Sequence, residues 1–468
     1  MRMTLRYRSP LRLLAAALLF VAGCAAHRAA GPPAAPPVPV EGADPAALAV
    51  AAALTPALAT CPDRVWPGLP GREIQVLLVD LRGRRALLWN DLREGYCGAP
   101  RIAGIPFGEL PPAYTSGAEY RFGELHGRPT LGFSYDPAAD PSWSAEIVVH
   151  EAFHGYVQEG WEIGASGLAR GIRYPEPWEP RYLRRELVRS LRAAVDGTPG
   201  ALADAAAWLS RIRAEFPEAV PEARAVDVVE GTAEYAGVMA AAVSAAGCGA
   251  KETALIAEAA RRVRNRWNRP DKEEESYALG VLGGLALRGR GDPGWEKAAR
   301  GSPPAELLLA RVRPGDPAID VELAAETKRE FQAVNRAVLR KIGPFLSPPP
   351  GDAFLVAVPS DWMQGSFGTG GFVSLPPDGA GTGRSFVLEM TASFASPDTG
   401  SRLTLNGVTV ERSGSPCGEG SFHLFPLPIR ALIEGADRRG TIAEEWVRGE
   451  RLEHDFVRRA GTVWLCIR

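Results

Sequence analysis

A chain of 468 residues is longer than a single hydrophobic core usually serves, so roughly two or three folded units plus any tails are expected. Lys and Arg number 53 against 55 Asp and Glu, a formal charge of −2, and no basic stripe offers the counterion-releasing surface that nucleic acid requires. Nucleic acid is therefore excluded as a partner.

The first predicted element is a targeting segment. Arg2, Arg6, Arg8 and Arg12 make a basic start, and residues 13–22 make a short apolar run that cannot span a bilayer as a mature helix. The run ends in Val21-Ala22-Gly23-Cys24, which resembles the lipobox of bacterial lipoproteins. That resemblance implies a signal peptide over 1–23, lipidation of Cys24 as the mature N-terminus, and a chain anchored by lipid in the bacterial cell envelope, at the outer membrane and facing the periplasm or the surface. Residues 24–60 are rich in Ala and Pro with few large apolar side chains, and read as a tether.

Beyond the tether, residues 73–81, 84–89 and 130–135 carry strand-like runs and predict a small sheet. From 144 to about 346 the pattern turns helical, in stretches at 181–195, 201–215, 225–246, 251–267 and 324–342. Pro348-Pro349-Pro350-Gly351 breaks the chain. Residues 351–468 then read as strands, including 385–391, 401–411 with a turn expected at Asn406-Gly407, and 462–467. The expected class is α+β. Cysteine grouping suggests Cys61 with Cys97 and Cys417 with Cys466, leaving Cys248 as a buried thiol, although spacing alone does not determine connectivity.

The chemistry-bearing motif is His150-Glu151-Ala152-Phe153-His154, set in an otherwise apolar stretch. A spacing of four places both imidazoles on one helix face, where two nitrogen ligands leave room for a third protein ligand and an open position on a zinc ion. Glu151 follows the first ligand and lies beside that open position, where a carboxylate serves as general base and acid. The alternative is two histidines packed on a buried helix. A second pair, Glu230 and Glu234, is also one turn apart among Ala, Val and Gly. Two such carboxylates are costly to bury unless they meet a metal, a cation or a histidine, and otherwise they face solvent.

Together the two motifs resemble the gluzincin metallopeptidases. The resemblance implies one Zn2+ per chain held by His150, His154 and Glu230, with Glu234 hydrogen-bonded to a ligand histidine, most naturally His150, or itself the third ligand. The interval from His154 to Glu230 is long for the group and implies inserted helices over 170–218. Tyr277 in Glu275-Ser276-Tyr277-Ala278-Leu279-Gly280 resembles the tyrosine that steadies the oxyanion in aminopeptidase-like members, or is a packed helix residue. The acids before it, at 273–275, read as a solvated first helical turn, and Arg184-Arg185 as a solvated helix face. Residues 127–135 are either the edge strand along which zincins lay a peptide or an ordinary strand.

The expected architecture is thus a zincin-like catalytic domain over 61–346, with a small N-terminal sheet and a helical bulk, followed by a β-rich accessory domain over 351–468. The expected activity is zinc-dependent hydrolysis of peptide bonds at the envelope, with a peptide or protein as substrate. The alternative is a noncatalytic envelope lipoprotein that uses a zincin-like domain for binding.

Overall fold

The computed structural model describes residues 44–92, 100–115, 117–161, 172–268, 272–346, 353–369, 372–375, 384–396, 401–415, 417–428, 432–434, 440–444, 447–452, 454–459 and 462–467. The signal segment, Cys24, Cys97 and the break at 348–351 lie outside them. The helices are α1 (Pro45–Leu54), α2 (Pro141–Tyr156), α3 (Glu179–Val195), α4 (Ala201–Glu215), α5 (Val220–Ala246), α6 (Glu252–Val263), α7 (Lys272–Gly289), α8 (Trp295–Ala298), α9 (Pro304–Leu309) and α10 (Val321–Leu346). With two sheets beside them, the chain is α+β. No helix among the described residues is long and apolar enough to cross a membrane.

Two compact units share the chain. The first holds the residues up to Trp161 with Thr232–Arg266 and Gly284–Arg300, and the second holds Glu162–Gly231, Trp267–Gly283 and Gly301–Arg468. The first unit is built on a five-stranded sheet of β1 (Gln75–Asp80), β2 (Arg85–Trp89), β3 (Ile102–Ile105), β4 (Tyr120–Leu125) and β5 (Arg128–Ser134), in the order β3-β2-β1-β5-β4. Strand β1 pairs parallel to β5 and is buried along its length, as a central strand covered on both faces must be. Leu77 and Val79 share one face with Leu88, Ile105 and Tyr114.

Strand β5, one of the two readings of residues 127–135, is an ordinary inner strand between β4 and β1, and among the described residues the sheet ends at β3 and β4. Two expectations are corrected in this unit. The tether stops short of Thr60. From Pro45 the chain is helix, because Asp44 caps the first turn, Pro45 fits the first helical position, and Ala47, Val50, Ala51 and Leu54 pack inward. Cys248 is bonded to Cys61 across 187 residues, a pairing invisible to chain spacing because it joins the segment after α1 to the end of α5.

In the second unit α3 carries Arg184 and Arg185 inward rather than to solvent. Arg184 donates to both oxygens of Asp227 on α5 at 2.6 and 3.1 Å and to Glu275 Oε2 on α7 at 2.9 Å, while Arg181 pairs with the same oxygen at 2.9 Å. Glu275 is 0 % exposed, so the last acid of the expected solvated turn instead lies inside a buried network with Arg181 and Arg184. Opposite charges on three facing helices make that burial tolerable, and local pattern shows none of them. Helices α5 and α7 touch backbone to backbone: a Cβ on Gly280 would lie 2.2 Å from the Gly231 backbone, so only glycine fits.

The same unit holds a twelve-stranded sheet. It runs from β6 (Ile172–Arg173), which pairs with β9 (Phe372–Leu375), to β17 (Thr462–Ile467), which pairs parallel to β7 (Ala353–Pro359). Val338 and Ile342 of α10 pack on one face of it. The expected turn at Asn406-Gly407 is absent. Strand β11 (Arg402–Ser415) continues through, because β10 (Arg384–Ala395) pairs with it at Asn406 and Gly407, while β15 (Val447–Leu452) pairs with the preceding Arg402–Leu405. This pairing outweighs the local turn preference of Asn-Gly. Cys417 and Cys466 are joined in this sheet.

Candidate metal centre

Helix α2 supplies His150, Glu151 and His154. Asp140 starts it by accepting a hydrogen bond from the Ser142 amide at 2.8 Å, and Pro141 occupies its first position. Its far side is anchored by aromatics: Phe153 meets Trp66 edge-on at 4.9 Å and Trp161 at 5.9 Å, and Trp66 in turn meets Tyr235 of α5 at 6.1 Å. On its other side His150 faces Glu234 of α5.

The donor atoms of His150, Glu151 and His154 all lie within 4.8 Å of one another. His150 is 8 % exposed and Glu151 9 %, while His154 is half-buried. His150 Nδ1 is 3.0 Å from Glu234 Oε2, and His154 Nδ1 is 2.6 Å from Gln158 Oε1. Both acceptors require a proton on Nδ1, and a neutral imidazole carries only one. Both Nε2 atoms therefore present lone pairs, and they face each other at 3.1 Å.

Two lone pairs so close repel unless a cation or proton lies between them. Two nitrogens bonded to one tetrahedral zinc at the usual length would stand about 3.3 Å apart. The donor set thus fits a divalent transition ion, with neutral imidazoles of the right tautomer and a carboxylate beside them.

Behind His150 lies a second layer of charge. Arg266 donates to both carboxylate oxygens of Glu146, one of them at 3.1 Å, and lies 3.5 Å from Glu234 Oε1. Glu146 sits one turn before His150 on α2. Burial pushes its carboxyl above the ordinary range, opposed by the hydrogen bond from Arg266 and helped by the charge of Glu234. Arg266 thus faces the buried carboxyl of Glu146 and the half-buried carboxylate of Glu234, and orients the one that holds His150.

Behind His154 stands the neutral side chain of Gln158. Helix α2 closes with the Gln158 amide N–H donating to Phe153 O at 3.0 Å, and this turn folds the Gln158 side chain back under His154. The other arm of that side chain donates to Thr232 Oγ1 at 2.8 Å.

Glu230 lies one turn ahead of Glu234 on α5 and is 2 % exposed, but it is not one of the three residues in the compact donor group. Tyr277 is half-buried on α7, three residues before the Gly280 that packs on Gly231. Cys24 lies outside the described residues. Gln158, Thr232, Glu146 and Arg266 escaped the sequence reading. An acid four residues before His150 on an apolar helix was a usable signal for Glu146, whereas Arg266 and Thr232 are brought in only by folding.

No family model matches this chain, and neither a curated protein nor a solved structure matches it significantly. The site must be read from its own geometry.

Proposed function

We propose that this chain is a zinc-dependent peptidase of gluzincin type, lipid-anchored in the cell envelope through Cys24. One observation carries the reading: two imidazoles, each committed by its Nδ1 partner, turn their Nε2 lone pairs on a common point beside Glu151. His150 and His154 are two ligands of a single ion. Glu230 is the third, supported by its burial one turn from Glu234 on the same helix. Residues 61–346 are then a zincin-like catalytic domain, and 351–468 an accessory region.

A zinc ion held there would supply an acidified water and polarisation of the scissile carbonyl of a peptide or protein substrate. Glu151 is the group that would take a proton from that water and return it to the leaving amine. Tyr277 is the candidate donor to the developing oxyanion. An extended substrate adds to β4, an edge strand of the small sheet on which Phe122 packs against Gly155, the residue after His154.

The test is metal content and cleavage of a peptide library by the parent and by Glu151→Gln. Near-equimolar zinc is expected in both, with activity lower by roughly 10²–10⁴-fold in the variant. Equal cleavage by the variant would rule out the mechanism.

A further inference from the structure

We infer that Gln158, held by Thr232, is a positioning residue that sets the tautomer of His154 and so decides whether that ring can take a metal. This rests on the zinc reading above and deepens it. A glutamine side chain presents an oxygen on one arm and an NH2 on the other. With the oxygen toward His154, Nδ1 carries the proton and Nε2 is a ligand; with the amide turned over, the NH2 meets Nδ1 and the proton moves to Nε2, where it blocks coordination.

The observed arrangement is the competent one. Oε1 lies 2.6 Å from Nδ1, and Nε2 of the amide donates to Thr232 Oγ1 at 2.8 Å, so both arms are occupied. Gln158 is buried. The backbone bond from the Gln158 amide to Phe153 O ties the side chain's origin to the helix that carries His154. The ligand, its acceptor and the turn that joins them are thus one local structure, to which α5 contributes Thr232.

The two ligands are also supported unequally. His150 meets a carboxylate at Nδ1 and His154 a neutral amide. Loss of the acceptor at 158 would release the His154 ring to the Nε2–H form that imidazole prefers on its own.

The experiment uses the full chain with ¹⁵N-labelled histidine, comparing the parent with Gln158→Leu, Gln158→Glu and Thr232→Val. Long-range ¹H–¹⁵N correlation in the metal-free protein reads the ring tautomer, and competition with a chromophoric chelator reads zinc affinity. In the parent, His154 is expected as Nδ1–H. Gln158→Leu should move it to Nε2–H and weaken zinc by roughly 10–100-fold, and Thr232→Val should give a mixture of tautomers. Gln158→Glu keeps the acceptor and should bind zinc at least as tightly as the parent.

A His154 that stays Nδ1–H in both Gln158→Leu and Thr232→Val, with parental zinc affinity, overturns the assignment. So does a His154 ring that carries no proton on Nδ1 in the metal-free parent. If Gln158→Leu does not fold, Thr232→Val and Gln158→Glu still decide. A parent that binds no zinc would instead sink the peptidase reading, while its tautomer still tests this one.

Discussion

At the scale of single residues, the site depends on which nitrogen of each histidine bears a proton. Glu234 settles this for His150 at 3.0 Å, and its carboxylate is in turn oriented by Arg266. Glu234→Ala removes the acceptor and leaves Arg266 to Glu146 alone. Zinc affinity should fall roughly 10–100-fold with the helical circular dichroism unchanged, as chelator competition would show. Unaltered affinity would mean that His150 is held by something else. The histidine spacing and the second acid pair were legible in the sequence because helical periodicity alone puts such residues on one face. Gln158 was not, since a glutamine four residues after a histidine carries no chemical signal until the end of the helix folds it under the ring.

At the scale of elements, α5 carries the acids and its placement depends on one close crossing. Gly231, next to Glu230, and Gly280, three residues after Tyr277, approach until a Cβ on Gly280 would lie 2.2 Å from backbone. Gly280→Val forces the two helices apart and should destabilise the protein by about 1–3 kcal/mol or more, read as a lower urea midpoint. An unchanged midpoint would contradict the crossing. Helix positions in this region were readable, and α4 coincides with the predicted 201–215. The strands were read less well. Asn406-Gly407 looked like a turn because local preference was the only information available, and the partners of this strand, β10 and β15, come from elsewhere in the chain.

At the scale of the whole molecule, two devices act across long stretches of sequence. The Cys61–Cys248 bond closes 187 residues, and replacing both cysteines by alanine should cost roughly 3–5 kcal/mol, measured by urea unfolding of the oxidised parent and the variant. The second device is the buried ion network of the second unit. Burial pushes Glu275 from 4.5 up to about 7, against the pull of Arg181 and Arg184. Below 4.5 the carboxyl is protonated whether folded or unfolded, and the stability it contributes is fully present. Between 4.5 and about 7 the folded chain keeps a proton that the unfolded chain has released, so this contribution falls as pH rises through the window, by about 3 kcal/mol in all. Urea midpoints at pH 5 and pH 7.5 should therefore differ in the parent, and Glu275→Gln should remove that part of the difference.

What the sequence by itself determined is whatever rests on local periodicity: the α+β class, the main helices, and the placing of His150 and His154, like Glu230 and Glu234, on one side of a helix. What only the tertiary structure decided is whatever depends on which distant groups meet. That Arg184 and Glu275 face inward, that Cys248 finds Cys61, that β4 is an edge strand, and that Gln158 and Arg266 stand behind the two histidines are all of this kind. The reason is that burial of a charge, the partner of a thiol and the tautomer of an imidazole are set by neighbours in space. A helical or strand repeat constrains only neighbours in sequence.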